Sequence, residues 1–400
     1  MTDLTAQAHS RSLELLREAA TRHGFVASPA FDHYAVIWAR DALIAGLGAV
    51  GSGEPDLVTA TASTLDTLAA HSSTLGQIPA LVAPARNEWD FSEGGVVDTT
   101  AWFPIVVAAY LRVTGDTGRV RGWWPAVTAA LSWLQHQDVT GTGLISAAPS
   151  TDWMDAALTR SGRTLHLNVL YAAAITAHDE VAAALGKPAL DEAAATRAAV
   201  NSWFWPDAET DAGSLFPHGF AHDATRIAYW EAASVNRRFY LSHIVHAAFV
   251  DRCDVLGNVL AVRFGVADAD RAGIVLDAMF EAADPYPTRT FPQPVAPNDG
   301  TGMLVAVAES AIPARWRNRP GAYHNGAAWP YVGGFHAEAV ARTLGGDAAR
   351  PLLHRLALAN ALGDWSFPEW IDAVGEPAGA SMQTWNAGTY VLAYRAVHGL

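Results

Sequence analysis

Three short segments set a carboxylate beside a tryptophan: Trp38-Ala39-Arg40-Asp41, Asp152-Trp153-Met154-Asp155, and the stretch from Asp364 to Asp372 that contains Glu369. An indole next to a carboxyl group withdraws it from water and favours the protonated form, whereas a carboxyl group without such a neighbour stays ionised. Two carboxyl groups in unlike surroundings are what glycoside hydrolysis needs, one to protonate the leaving oxygen and one to activate water or attack the anomeric carbon. Indole faces also cover the apolar faces of sugar rings, and Asp, Arg, Asn, Gln and His suit the hydroxyls. Each segment has a plainer reading: Arg40-Asp41 as a helix-terminal cap with its ion pair, Asp155 as a cap for the next element. The joint occurrence of three such segments favours chemistry.

Other chemistries leave no trace. The 15 histidines include no His-Glu-x-x-His, and His243 with His246 reads as a helix pair, so no metal is expected. There is no Gly-x-Ser-x-Gly elbow and no phosphate-cradling Gly-x-x-x-x-Gly-Lys, and no organic cofactor is expected. The one cysteine, Cys253, lies among apolar residues and reads as a small buried thiol.

The elements that must carry these residues are helical. Asp98 or Thr99 offers a cap for an amphipathic run through Trp102, Ile105, Val106, Ala109, Tyr110 and Val113, stopped by Gly115; the next starts near Asp116 or Thr117. Similar periodicity marks residues 5–22, 41–50, 56–71, 166–185, 189–203, 240–262 with a break, 269–283, 331–344, 348–362 and 385–398. The stretches 72–97, 138–163, 205–232, 284–327 and 363–383 read as long loops with weak strand signals, and they hold most of the unusual residues. Roughly a dozen paired helices with long aromatic loops suggest an all-α fold, an (α/α)6 toroid over residues 1–400 as one catalytic domain. Periodicity alone is equally compatible with an open helical solenoid.

Composition bounds the partners. The 400 residues carry 26 Lys+Arg against 40 Asp+Glu, a net charge of −14, and charged residues make up only 16%. A negative field with no basic cluster argues against nucleic acid. No apolar run reaches the roughly 18 residues of a membrane span, and the N-terminus lacks the layout of a secretory signal, so a cytoplasmic protein is expected.

The chain resembles the (α/α)6 glycoside hydrolases, and several segments look like the amylo-α-1,6-glucosidase (glycogen-debranching) type. Trp38-Ala39-Arg40-Asp41 is similar to that group's Trp-x-Arg-Asp. Trp153-Met154-Asp155-Ala156 followed by Asn168-Val169-Leu170 is similar to its Trp-Met-Asp-Ala and Asn-x-Leu helix. Glu369, Gly375-Glu376-Pro377 and Gln383-Thr384-Trp385 match its C-terminal pattern. Tyr323-His324-Asn325-Gly326, Trp329-Pro330 and Pro368-Glu369 also look like the sucrose-splitting neutral/alkaline invertases, although Met154-Asp155 continues as Ala-Ala-Leu where that group has Ile-Asp-Arg-Arg-Met.

The resemblance implies Asp155 as general acid and Glu369 as general base of an inverting, exo-acting enzyme on a small α-glucoside or oligosaccharide, with Asp152 as rival acid. Inversion would separate the two carboxyl groups by about 6.5–9.5 Å, against about 5–5.5 Å for retention. Arg40 and Asp41 would hold sugar hydroxyls, with Trp38, Trp102, Trp153, Trp329 and Trp385 as candidate aromatic wall, and Asp152, Asn168, His324, Asn325 and Gln383 as further contacts. For Trp102 the helical spacing equally suits core packing. A small neutral carbohydrate is the expected partner; a sucrose hydrolase, a sugar epimerase and a non-catalytic carbohydrate-binding toroid are the alternatives. Oligomeric state is left open.

Overall fold

A computed structural model describes residues 3–91, 96–154, 158–210, 212–215, 223–245, 248–283, 288–296, 304–305 and 319–400. The described residues contain thirteen α-helices: α1 (Leu4–Ala19), α2 (Ala39–Ser52), α3 (Pro55–Ala70), α4 (Val96–Thr114), α5 (Thr117–Gln135), α6 (Leu165–Leu185), α7 (Ala193–Phe204), α8 (Asp223–Ala233), α9 (Val255–Arg263), α10 (Ala269–Phe280), α11 (Pro330–Leu344), α12 (Gly346–Trp365) and α13 (Thr384–His398). Helices α2, α4, α6, α9, α11 and α13 pack on one another in that order, and α13 packs back on α2, which closes an inner ring. Helices α3, α5, α7, α10, α12 and α1 pack outside it. The result is the (α/α)6 double ring, and ring closure excludes the open solenoid.

The sequence dictates this layering through burial. Inner helices face the ring's interior on one side and the outer helices on the other, so they are apolar nearly all round: in α2 every residue from Ala39 to Val50 except Arg40 is buried. That double coverage is why so few charges are needed. The closing contact uses backbone, since a Cβ on Gly48 would collide with the backbone of Gly388, and one on Gly388 with that of Ala45. Because inner and outer helices alternate along the chain, all six inner helices run the same way, with their N-termini at one mouth of the ring and their C-termini at the other.

The connections at the two mouths differ in length. At the C-terminal mouth single left-handed residues suffice, such as Gly53 (φ 76°) and Gly115 (φ 66°), and α11 passes to α12 through Gly345 alone. At the N-terminal mouth the long loops carry short strands: Ile37–Trp38 pairs with Leu81–Ala83, which pairs with Glu88–Asp90, and Trp370–Ile371 pairs with Pro377–Ala378.

Two expectations need correction. The described residues between 240 and 254 are not helical: His243–Val245 and Ala248–Val250 form a hairpin that pairs with Arg163–Thr164, and the helix begins only after Asp254 accepts the Gly257 N–H at 3.2 Å. The β-branched and aromatic content of this segment suits the pleat, and the Asn258 amide fixes its start by bonding both Tyr240 N–H and C=O, at 2.7 and 3.2 Å. Conversely, part of the expected loop 205–232 forms α8, which packs on strand Ala248–Val250 outside the ring.

Candidate active site

The residues singled out for chemistry gather at the N-terminal mouth, and two of their positions are set by the ring's closure. The N-terminal loop is stitched to the C-terminal one where Ser28 donates to Ser381 O (2.7 Å) and the Thr384 hydroxyl donates to Val26 O (2.7 Å). This seam brings Tyr34 against Glu369. Glu369 is 7% exposed; its Oε2 accepts the Ala380 N–H at 2.8 Å and its Oε1 lies 3.4 Å from the Tyr34 hydroxyl. A Cβ at residue 379, where φ is +75°, would run into the Glu369 carboxylate and the Trp370 indole nitrogen, so only glycine leaves this carboxylate its place.

Arg40, in the first turn of α2, forms a bidentate pair with Asp98 of α4, Nε to Oδ2 at 2.7 Å and Nη2 to Oδ1 at 3.2 Å, and its Nη2 also donates to the Asp152 carbonyl at 3.2 Å. Asp98 is wholly buried and Arg40 is nearly so. Asp98 lies inside the first turn of α4, which begins at residue 96; its carboxylate orients the guanidinium while the helix N-terminus favours its charge. Asp41 is buried beside it in the first turn of α2, and the half-buried Trp38 precedes that helix with Tyr34 6.1 Å away.

A second buried network flanks the segment that carries Asp155. Arg160 donates Nε to Asp152 Oδ2 at 2.7 Å and Nη1 to Asp254 Oδ2 at 2.5 Å, with all three side chains at 2% exposure or less. Asp152 Oδ1 accepts the Met154 N–H at 3.0 Å. Burial works against the Arg160 charge, but Asp152 and Asp254 together hold it firmly protonated. Burial pushes the Asp254 carboxyl up despite that partner. The neighbouring His166 and His243 are buried and kept neutral, His243 down to about 3, by burial first and by the Arg160 charge second.

The aromatic residues form one connected cluster. Trp153 meets His324 (5.1 Å), Trp329 (5.6 Å) and Tyr331 (5.7 Å) edge-on, His324 stacks on Trp329 at 5.1 Å, and Trp385 stacks on Tyr331 at 4.2 Å. Tyr323 joins this cluster to Trp370, next to Glu369. The Gln383 amide atoms and the indole nitrogens of Trp153, Trp370 and Trp385 are buried with no partner among the described residues. Buried polar atoms are normally paired, so this concentration is unusual for a protein interior.

No protein-family profile matches the chain, and no curated protein matches its sequence. Solved structures do match. The GH63 mannosylglycerate hydrolase of Thermus thermophilus superposes with a TM-score of 0.64 at 13% identity, covering 96% of this chain and 99% of that one. The glucoamylase of Hormoconis resinae gives 0.65 at 14% identity over 99% of this chain and 74% of its own, and a wild-type glycosidase gives 0.62 at 15% over 99% and 98%. The chain has the fold of the (α/α)6 glycosidases.

Within that fold, Trp38, Arg40, Asp41, Trp153, His324, Trp329, Glu369, Gln383 and Trp385 lie in the loops and first helical turns of the N-terminal mouth. Asp155 lies outside the described residues, as does His246. Four of the expected contacts are engaged within the protein itself. Trp102 is 0% exposed and packs between Phe335 (stacked, 5.8 Å) and Phe264 (6.0 Å), so its helix face is core. The Asn168 amide is spent on the backbone of Ile145 (2.8 and 3.1 Å) and Thr164 (2.8 Å). Asn325 clasps Val295 in the same manner, accepting from its N–H at 2.6 Å and donating to its C=O at 2.9 Å. Asp152 accepts at both oxygens, from Arg160 Nε and from the Met154 N–H.

Sequence reasoning missed Tyr34, Asp98, Arg160, Asp254 and Gly379 as parts of the site. Asp98 reads as a cap in the sequence; the others carry no local signal, because nearly all their partners come from distant parts of the chain. Cys253 is buried as expected, and burial pushes its thiol well up. Among the described residues no cluster of three or more His, Cys, Asp or Glu is arranged to hold a metal ion, and no helix is long and apolar enough to cross a membrane.

Proposed function

We propose that this protein is an inverting, exo-acting glycoside hydrolase on a small neutral α-glucoside or oligosaccharide, of the amylo-α-1,6-glucosidase kind, with Asp155 as general acid and Glu369 as general base. The observation that carries the reading is the setting of Glu369. A carboxylate that receives the Ala380 N–H, faces the Tyr34 hydroxyl and has its room secured by Gly379 is held in a fixed position, as a group that takes a proton from water must be. The Arg40–Asp98 fork is a fixed, charged contact suited to discriminating hydroxyl geometry, and the flat faces of the Trp153–Trp329–Trp385 cluster suit a sugar ring. The Arg160 bridge fixes Asp152 and Arg160 to each other and to Asp254 through buried ion pairs.

The neighbouring structures include a mannosylglycerate hydrolase and a glucoamylase, and the reading takes from them the hydrolysis of an O-glycosidic bond. An oligosaccharide panel followed by NMR tests it, since the spectra report the bond cleaved and the anomer released together. The expected result is cleavage with inverted configuration, reduced about a thousandfold or more in both Asp155→Asn and Glu369→Gln with the fold intact. Full turnover in either variant removes the assignment, and a retained anomer removes inversion.

A further inference from the structure

The mouth of the ring opposite the candidate active site holds a cavity of about 300 Å³ between the C-terminal halves of the inner helices. Its apolar wall includes Leu47 of α2, Ile105 of α4 and Leu392 of α13, and its rim carries Arg112, Arg263 and Arg342, one from the C-terminal end of each of α4, α9 and α11. We infer that this cavity binds a small amphiphilic monocarboxylate, with its alkyl or aryl body on the apolar wall and its carboxylate on the arginines. The inference is independent of the proposed hydrolase reading.

A cation in the last turn of a helix offsets the negative end of the helix dipole, and that alone accounts for one arginine per helix. It does not account for how their forks are used. Buried Glu338 accepts Nε of Arg263 at 2.7 Å and Nε of Arg342 at 2.9 Å, so one carboxylate serves two guanidinium groups. Arg112 gives its Nε edge to Glu180, at 2.8 and 3.1 Å. The terminal amino groups of Arg112 and Arg342 have no partner among the described residues, and a guanidinium presents that second edge as a ready carboxylate fork.

Charge narrows the ligand further. Three arginines against Glu338 and Glu180 leave one uncompensated positive charge at the rim, in a chain whose net charge is −14. One charge matches a carboxylate and falls short of a phosphate dianion. Leu47, Ile105 and Leu392 offer a ligand no hydrogen bond, whereas an alkyl or aryl group against them is removed from water. The volume lies at the lower end of the range for small-ligand pockets, which sets the size at a single ring or a short chain.

Calorimetric titration of the full chain with sodium hexanoate, and separately with 1-hexanol, tests the site. Saturable binding of one hexanoate is expected, with hexanol much weaker, and Arg112→Gln and Arg342→Gln each weakening hexanoate about tenfold. Both side chains are more than half exposed (58% and 64%), so the variants keep the fold. No saturable hexanoate binding to the unaltered protein overturns the inference. So does hexanol binding as tightly as hexanoate, or hexanoate affinity unchanged in both variants, which would place the anion elsewhere, for instance at Arg40.

Discussion

The two mouths of the ring are built from opposite ends of the same six helices, and they have sorted the charged residues accordingly. At the N-terminal mouth buried carboxylates sit on helix starts, Asp41 and Asp98 in first turns and Asp254 as the cap of α9, with Arg40 and Arg160 paired to the last two. At the C-terminal mouth the helix ends carry arginines, Arg112, Arg263 and Arg342, the last two gathered on buried Glu338. Parallel inner helices present aligned dipoles, so anions are favoured at one mouth and cations at the other before any ligand is considered. The connections divide the same way: near-minimal turns at the arginine mouth, long loops at the carboxylate mouth. Acid–base chemistry on sugars belongs where carboxylates can be buried and where loops are long enough to shape a pocket.

The strongest way to break the carboxylate mouth is to remove the cation that holds it together. Arg160→Met leaves Asp152 and Asp254 buried without their counter-charge, and unfolding in denaturant should show a loss of about 3–5 kcal/mol. Arg342→Gln at the other mouth removes the exposed one of the two guanidinium partners of buried Glu338 and leaves Arg263 in place, so it should cost about 1 kcal/mol or less. Equal costs would mean that the two mouths are not electrostatically distinct.

The next effect is on turnover. Gly379→Ala puts a methyl group where the Glu369 carboxylate sits and demands an uncommon backbone conformation of alanine, so Glu369 must move. Displacing a general base by around an ångström costs on the order of a hundredfold, about 2.7 kcal/mol of barrier. The expected signature is a fall in kcat on a cleaved oligosaccharide with little change in KM. Unchanged kcat would separate Glu369 from the chemistry.

Much of this arrangement is legible in the sequence, and the parts that are not share a cause. The helices announce themselves through three-and-four spacing and stops such as Gly115 and Gly345, and the placement of Trp38, Arg40 and Trp385 at one mouth follows from their lying just before, or at the start of, inner helices. Asn168 and Asn325 mislead because an amide bonding sugar and an amide bonding backbone look alike in one dimension. The segment from Tyr240 to Val250 misleads because a buried strand and a helix face share apolar spacing over short runs. Tyr34 meets Glu369, and Arg160 meets Asp254, only through ring closure and loop packing, which no local pattern encodes.

The smallest expected effect follows from the same asymmetry read through pH. His243, beside Arg160, is neutral in the folded protein, its pKa held down to about 3 by burial and by that guanidinium, whereas the unfolded chain's histidine takes up a proton near 6.5. Below pH 6.5 the unfolded state therefore binds more protons, and stability is lost as pH falls toward 3. Between pH 6.5 and 5 this one residue should cost about 2 kcal/mol, and His243→Gln should flatten the fall in Tm across that interval by the corresponding amount. Arg342→Gln should leave the slope nearly unchanged, because it removes a guanidinium group, which does not titrate there, and Arg263 still pairs with Glu338. His166, kept neutral by burial and by Arg160 and Arg40, and His336 of α11, held down to about 4 by burial, add to the same loss, so part of the slope remains in His243→Gln. A slope that responds to Arg342 and not to His243 would reverse the assignment of acid sensitivity to that mouth.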